Sequence, residues 1–296
     1  MSDLTTTAAP FDPTAPLRPS GNLRRRQILS RLGEWIATGS ALLAVAVLVI
    51  VVYTVFVRGS AALSLDFLLK GQPEGIGPAI VGTMLMVGVA TAIAMPLGVL
   101  VGLYLTEFAN RRAAAAVRLT LDLMNGLPSI IIGLFVFGLL VAGRSQSAFA
   151  ASVALAIIML PLVARGSQEV LLLVPESLRD AAEALGVSRW RTVLTVILPS
   201  ALSGIVTSTV LAVARAAGET APLIFACSVF DSTRFDLNVT EAVPNIPVTI
   251  YQLSEEANPE SFARAWGASL VLISFILLAS LGARAVLARG RRRPLR

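Results

Sequence analysis

Six apolar segments, of which the fourth is short and the fifth long for a membrane span, constrain how this chain can fold. They are residues 35–57, 79–105, 123–143, 148–163, 199–230 and 266–287. A transmembrane helix needs about 20 apolar residues, and inside lipid its backbone groups must bond within the segment. Only 14% of the 296 residues are charged, against roughly a quarter in soluble domains. The sequence therefore predicts an all-α integral membrane protein with six transmembrane helices.

The segments outside this six-span domain, which we place at residues 35–288, are short. Residues 1–34 form an N-terminal arm that begins with a stretch rich in Thr, Ala and Pro, so we expect it to be disordered. Residues 289–296 form a basic tail. The first span is too long for a secretory signal peptide and lacks a small-residue cleavage site.

The distribution of basic residues predicts the orientation of the chain. Of its 24 Lys and Arg residues, 17 fall on the side of the two termini, five fall on the opposite side, and Arg215 and Arg284 lie within predicted spans. Basic residues concentrate in cytoplasmic loops, so we expect both termini to lie in the cytoplasm. The expected membrane is the inner (plasma) membrane of the cell. Membrane orientation thus explains the net charge of +6 without a nucleic-acid partner.

Missing residue types exclude several classes of enzyme. The chain has no histidine, which rules out HExxH zinc proteases and Ser-His hydrolases. Its one lysine, Lys70, precedes Gly71 and does not belong to a Gly-Lys-Ser/Thr phosphate-binding loop. The single cysteine, Cys227, lies in an apolar run and is expected to be a small buried residue. We therefore expect no catalytic residues, metal site or cofactor in this chain.

A charged pair interrupts the fifth apolar segment. Arg215 and Glu219 lie four residues apart in ARAAGETAPL, although a charge at mid-bilayer costs about 3 kcal/mol. One possibility is a structural salt bridge on one helix face. The other is an anion site, in which the guanidinium fork of Arg215 binds two oxygens of the anion and pairs with Glu219 when no anion is bound. Thr220 completes the candidate pathway. Gly218 and Pro222 predict a break in this overlong helix.

The loop between the fourth and fifth segments carries the strongest pattern. In ESLRDAAEALGVSRWRTVLTVILP, Ser177 and Asp180 fit a capping box that starts a helix. Gly186 fits the left-handed position that ends it, and Ser188 is placed to cap a second helix over 189–198. Two capped helices exceed what a simple connector needs. A docking element for a soluble partner is favoured over a solvated connector.

This loop resembles the EAA loop of the inner-membrane permeases of ABC importers. The matching positions are Asp180, Ala181, Ala182, Gly186, Val196, Leu198 and Pro199, with Asp in place of Glu and Val in place of Ile. The resemblance implies a type I (MetI-like) permease fold whose cytoplasmic loop, residues 164–198, couples to a separate ATPase. GLYLTEF, MNGLPSIIIGLFVFG, ARAAGETAPLIF, IPVTIYQL and AWGASLVLI are further similar to the phosphate-transporting permeases of this family.

The resemblance implies a permease subunit of an ATP-driven importer of inorganic phosphate. Its expected partners are a second permease subunit, a dimer of ATPase subunits that uses ATP and Mg²⁺, an extracytoplasmic phosphate-binding protein and membrane lipid. Two alternatives remain open. One is an ABC permease for another oxyanion, such as arsenate, and the other is an ion-coupled secondary transporter that uses Glu219 as a proton relay.

Overall fold

The computed structural model of the chain describes residues 22–229, 233 and 235–291. Most of the predicted N-terminal arm and the end of the basic tail lie outside these residues. The described part differs from the expected disorder only at residues 23–34 of the arm. Residues 23–34 belong to the first helix and residues 289–291 to the last one, because neither stretch contains a proline to stop the continuing helical hydrogen bonds.

Twelve α-helices occur in the described part of the chain. Their bounds are α1 Leu23–Ser60, α2 Leu65–Leu69, α3 Gly77–Leu103, α4 Arg111–Gly126, α5 Ser129–Val136, α6 Ala148–Leu172, α7 Glu176–Ala184, α8 Arg189–Thr192, α9 Leu198–Ala216, α10 Ala221–Ala226, α11 Ile246–Glu255 and α12 Pro259–Arg291. A π-helical turn follows α3 at Tyr104–Phe108, α5 at Phe137–Val141 and α8 at Val193–Ile197.

Five helical stretches in the described residues are long and apolar enough to cross a membrane. They are Arg25–Ser60, Gly77–Phe108, Ala148–Leu172, Arg189–Ala216 and Pro259–Gly282. The pair Arg111–Gly126 and Ser129–Val141 makes a sixth candidate, bent by 97°. The predicted all-helical membrane fold with six spans is confirmed, provided that this bent pair counts as one span.

Contacts divide the chain into two units, residues 1–54 and residues 55–296. The described part of the first unit is a single helix, the portion of α1 up to Thr54, which is apolar and uncharged from residue 36 onward. The second unit contains the end of α1 and every later element.

The third predicted span, 123–143, is not one straight helix. Helix α4 ends at Gly126, and α5 begins after Leu127 and Pro128, both of which have extended backbone. Proline supplies no backbone N–H and disfavours helical backbone at the residue before it. The Leu-Pro pair therefore sets the bend between α4 and α5.

The fourth and fifth predicted spans have different bounds in the structure. Helix α6 continues to Leu172, and the helical stretch that includes α9 begins at Arg189. The part of the predicted 164–198 loop between α6 and the π-turn at Val193–Ile197 contains α7 and α8, and we call it, residues 173–192, the elbow. The predicted break near Gly218 is confirmed, because α9 ends at Ala216 and α10 begins at Ala221.

Helix α6 is the centre of the second unit, and α3, α4, α5, α9 and α10 all contact it. Its contact with α3 depends on glycine. A Cβ atom at Gly98 would lie 2.8 Å from the Cβ of Val163, and one at Gly102 would lie 2.9 Å from the Cβ of Ser167. Small residues at such positions let two membrane helices approach closely.

We expect Gly98→Val to separate α3 from α6 and to destabilise the protein by about 1–3 kcal/mol, since overpacking a close contact forces the backbones apart. Thermal unfolding of the detergent-solubilised protein measures the change. Gly88→Val is the matched control on the same helix, because a Cβ at Gly88 meets no atom within 4 Å. Equal unfolding temperatures for the two variants would contradict this packing.

Candidate functional site

The break between α9 and α10 is a short non-helical segment, residues 217–220. Its first amide groups remain bonded locally: the N–H of Gly218 donates to the carbonyl of Arg215 at 3.1 Å, and that of Glu219 donates to Ala216 at 3.2 Å. The carbonyl of Thr220 then accepts the first hydrogen bonds of α10. Since backbone groups without partners are very costly in a bilayer, this bonding permits a break inside a membrane span.

Arg215 and Glu219 stand on either side of the end of α9. The Nε of Arg215 lies 3.8 Å from Oε1 of Glu219, and the side chains are 59% and 19% exposed, respectively. The expected shared helix face is wrong, because Glu219 lies beyond the last helical turn. A separation of 3.8 Å is an ion pair but exceeds hydrogen-bond length. The guanidinium is therefore held loosely.

The bent α4–α5 pair faces this break. Arg215 and Glu219 border a pocket of about 200 Å³, which we call the Arg215 pocket. Its other lining residues come from the α4–α5 bend and from α6, namely Met124, Asn125, Leu127, Pro128, Ser129, Ile132 and Ile158. The structure thus brings two interrupted helices together around one arginine.

Asn125 and Ser129 add polar groups to the Arg215 pocket that sequence reasoning missed. Both belong to the MNGLPS stretch, which was noted only as part of a resemblance. An Asn-Gly pair followed by Leu-Pro within an apolar segment is a turn signal, and it could have indicated a second break. Thr220 is half-buried at the start of α10 and is not among the described residues that line the pocket.

A close contact between α5 and α10 closes one side of the site. A Cβ at Gly133 would lie 2.6 Å from the Cα of Pro222, so only glycine allows α10 to approach this far. Just beyond α10, Cys227 is fully buried and its Sγ is 3.2 Å from the backbone N and O of Val243. The expected structural role of Cys227 fits this environment.

The elbow contains α7 and α8 joined at Gly186, as predicted. Gly186 has φ +68°, and the N–H groups of Gly186 and Val187 donate to the carbonyls of Glu183 and Ala182, which is how a left-handed glycine ends a helix. The start of α7 differs from the prediction. Pro175, rather than Ser177, is its N-cap residue.

Ser188 lies at the N-cap of α8, as predicted, although its side chain makes no capping bond there. The second predicted helix, 189–198, continues without a stop through the π-turn into α9. Leu198 and Pro199 are therefore the first residues of α9, whereas Asp180, Ala181 and Ala182 belong to α7. The residues of the EAA pattern are thus divided between the elbow and the adjoining membrane helix.

Helix α7 presents two different exposed faces. Leu178 and Leu185 are 39% and 81% exposed, and with Ala181 they follow the i, i+3, i+7 spacing of one helix face. Glu176, Asp180 and Glu183 form an adjacent acidic face that borders a pocket of about 430 Å³. The side chain of Ala182 is buried beneath them. An exposed leucine face beside a charged one is typical of a surface that receives a partner.

The buried side of α7 is anchored by Arg179, another residue that sequence reasoning missed. Its guanidinium donates to the carboxylate of Glu107, with Nη2–Oε1 at 2.9 Å and Nε–Oε1 at 3.3 Å. The Glu107 side chain is only 4% exposed. A charge-assisted bond of this kind fixes the elbow against the π-turn at the end of α3.

Interrupted membrane helices around a charged pocket, together with an exposed two-helix elbow, define a transport permease. The family model described as "Binding-protein-dependent transport system inner membrane component" matches residues 94–292. The chain belongs to this family, and it is accordingly a multi-pass component of the plasma membrane.

Two relatives extend the comparison over most of the chain. Phosphate transport system permease protein PstA 1 of Mycobacterium tuberculosis (strain CDC 1551 / Oshkosh) is 36% identical over 96% of both chains. PstA of Haemophilus influenzae (strain ATCC 51907 / DSM 11121 / KW20 / Rd) is 38% identical over 77% of this chain and 82% of its own.

Solved structures support the fold independently. A bacterial ABC transporter involved in the import of the acidic polysaccharide alginate aligns with a TM-score of 0.64 and 15% identity, over 89% of this chain and 99% of its own. The inward-facing MetNI methionine ABC transporter aligns with a TM-score of 0.57 and 21% identity, over 74% of this chain and 95% of its own. The type I ABC importer permease fold is thereby confirmed.

We expect Gly133→Val to push α10 away from α5 and to uncover Cys227, which is the only cysteine of the chain. Its rate of labelling by N-ethylmaleimide, followed by mass spectrometry of the folded protein, should rise about tenfold, since labelling reports local opening. Gly138→Val is the matched control, because a Cβ at Gly138 meets no atom within 4 Å. Labelling that stays slow in Gly133→Val would show that Gly133 does not position α10.

Proposed function

We propose that this chain is a permease subunit of an ATP-driven importer and moves inorganic phosphate through the Arg215 pocket. The observation that supports this most directly is an exposed arginine, loosely paired with Glu219, between two broken membrane helices. The PstA names of relatives that are 36–38% identical support phosphate as the substrate.

The residues of the Arg215 pocket suit a phosphate ion. A guanidinium offers a planar fork of donors to two phosphate oxygens and keeps its charge at every physiological pH. Asn125 and Ser129 supply neutral donors at the pocket wall. Glu219 compensates the arginine when the pocket is empty, and an arriving phosphate takes its place at the guanidinium. Repulsion between Glu219 and the anion then favours onward movement over tight binding.

ATP hydrolysis is assigned to a partner in this proposal, and this chain carries no cofactor of its own. The exposed leucine face of α7 fits a groove on an ATPase subunit, and Glu176, Asp180 and Glu183 fit basic residues around that groove. The full assembly would contain a second permease (PstC-like), an ATPase dimer that binds ATP and Mg²⁺ (PstB-like) and an extracytoplasmic phosphate-binding protein (PstS-like). The excess of basic residues beside the termini supports a cytoplasmic elbow and cytoplasmic termini.

We expect Arg215→Ala to lower phosphate uptake at least tenfold, because the pocket then loses its permanent positive charge, while Arg215→Lys retains part of the activity. The measurement is uptake of radiolabelled phosphate into proteoliposomes that contain the complete complex, ATP and the binding protein. Arg264→Ala is the matched control, since Arg264 and Glu260 form an i, i+4 ion pair at the same 3.8 Å separation outside the pocket.

The energy source is tested in the same vesicles. Uptake should require ATP and persist when a protonophore collapses the proton gradient. Normal uptake by Arg215→Ala with the complex intact would refute the pocket. Uptake abolished by the protonophore while ATP is maintained would refute the ATP-driven mechanism and favour a secondary transporter.

We expect Gly186→Val to weaken binding of the ATPase subunit, because an L-residue in left-handed backbone costs about 1–2 kcal/mol and shifts α7. Co-purification of the ATPase with this chain measures the effect. Gly143→Val introduces the same strain, since Gly143 has φ +76°, but it lies away from the elbow, between α5 and α6. Equal loss of the ATPase in both variants would contradict docking at the elbow.

A further inference from the structure

Both helices of the elbow contact the same turn at the end of α3. Besides its bonds to Glu107, Arg179 of α7 donates to the carbonyls of Val174 and Leu171, at 2.8 and 3.2 Å. All of its named partners accept hydrogen bonds, so the guanidinium joins α7, the end of α6 and the end of α3. Removing Arg179 would leave the buried Glu107 carboxylate without this partner, which is strongly unfavourable.

The neighbouring residue of the turn holds α8. The ring of Phe108 lies 5.9 Å from that of Trp190, and the guanidinium carbon of Arg189 lies 5.6 Å from the Phe108 ring centroid. An aromatic pair and a cation–π contact therefore add to the ion pair. A displacement of either elbow helix must act on residues 107–108.

The opposite end of α3 is fixed to residues 243–246, which we call the outer segment. A Cβ at Gly82 would lie 2.0 Å from the carbonyl oxygen of Pro244, so α3 and this backbone are in direct contact. The hydroxyl of Thr83 donates to Ala79 at 2.8 Å and accepts the N–H of Ile246 at 2.9 Å, and both hydrogen bonds are buried.

The outer segment in turn holds the chain that follows α10. The amide of Asn245 donates to the carbonyl of Cys227 at 3.1 Å, and Val243 is paired with the Cys227 thiol. Since α10 packs through Pro222 on Gly133, next to Ile132 of the Arg215 pocket, a continuous chain of contacts joins the outer segment to the wall of that pocket.

We infer that α3 is the mechanical link between the elbow and the outer segment, with Glu107 and Thr83 as the positioning residues at its two ends. This inference rests on the proposed function. Helix α3 is 27 residues long, which corresponds to about 40 Å, enough to cross the bilayer. Closure of the ATPase on the elbow moves α3 as one body, and α3 shifts the outer segment and α10. Packed elements transmit such displacements because they switch between discrete arrangements.

The elbow end of α3 is tested with Glu107→Gln, which removes the charge of residue 107 and leaves a hydrogen-bond acceptor. In proteoliposomes with the complete complex, we expect phosphate taken up per ATP hydrolysed to fall about tenfold, as expected when a charge-assisted bond is lost. Basal ATP hydrolysis should stay within about twofold, since the ATPase is unchanged. The control is Glu260→Gln, because the ion pair of Glu260 with Arg264 lies within α12 and joins neither end of α3.

The end of α3 at the outer segment is tested with Thr83→Val, which leaves the N–H of Ile246 without its acceptor. We expect a similar loss of uptake per ATP. Thr91→Val is the matched control on the same helix, because the Thr91 hydroxyl donates only to its own helix, at Val87. If Glu107→Gln fails to assemble, Phe108→Ala replaces it, since Phe108 is 41% exposed and contacts the same elbow.

Loss of uptake per ATP at both ends, with both controls normal, would support α3 as the link. Normal uptake per ATP in Thr83→Val would overturn the inference, even if Glu107→Gln lowered it. Equal losses in the control variants would also overturn the inference. A wild-type complex that takes up no phosphate would instead refute the proposed function. In that case, coupling through α3 can still be measured as the stimulation of ATP hydrolysis by the binding protein.

Discussion

A polypeptide inside a bilayer has to satisfy its own backbone hydrogen bonds. The Arg215 pocket depends on how two interrupted helices meet that requirement. The α4–α5 bend and the α9–α10 break face each other across the Arg215 pocket. The amides of Gly218 and Glu219 are bonded within their own turn. Residues 125–128 and Gly218 are exposed in this chain, and irregular backbone at membrane depth is tolerated where it lines a cavity, as both breaks do here. This pairing allows an arginine to lie in an apolar segment.

Close helix contacts make that pairing possible. The absence of a Cβ at Gly98 and Gly102 brings α3 against α6, and its absence at Gly133 brings α10 against α5. In lipid, where apolar side chains gain little from leaving their solvent, tight packing of small residues is a main source of helix association. The glycines therefore determine where the broken helices stand, and through them the position of Arg215.

Two ion pairs differ in how tightly their surroundings hold them. Glu107 is almost fully buried and accepts two hydrogen bonds from Arg179, a geometry that fixes one arrangement. Arg215 is more than half exposed, and its distance to Glu219 exceeds a hydrogen bond. The first pair is costly to open, whereas the second is held more loosely, as the proposed anion pocket requires. Spacing along the chain alone indicated only the second pair.

The sequence by itself determined the membrane class, the number of spans, the helix–glycine–helix elbow and the break near Gly218, because each depends on local composition or on backbone preferences of single residues. The bend after Gly126 also has a local cause, the Leu-Pro pair, which sequence reasoning missed. Only the tertiary structure decided the extension of α6 to Leu172 and the place of Glu219 beyond its helix. It also decided the bond between Glu107 and Arg179, which are 72 residues apart. Such contacts depend on which helix faces approach one another, and that choice is made by packing across the whole bundle rather than by any local pattern.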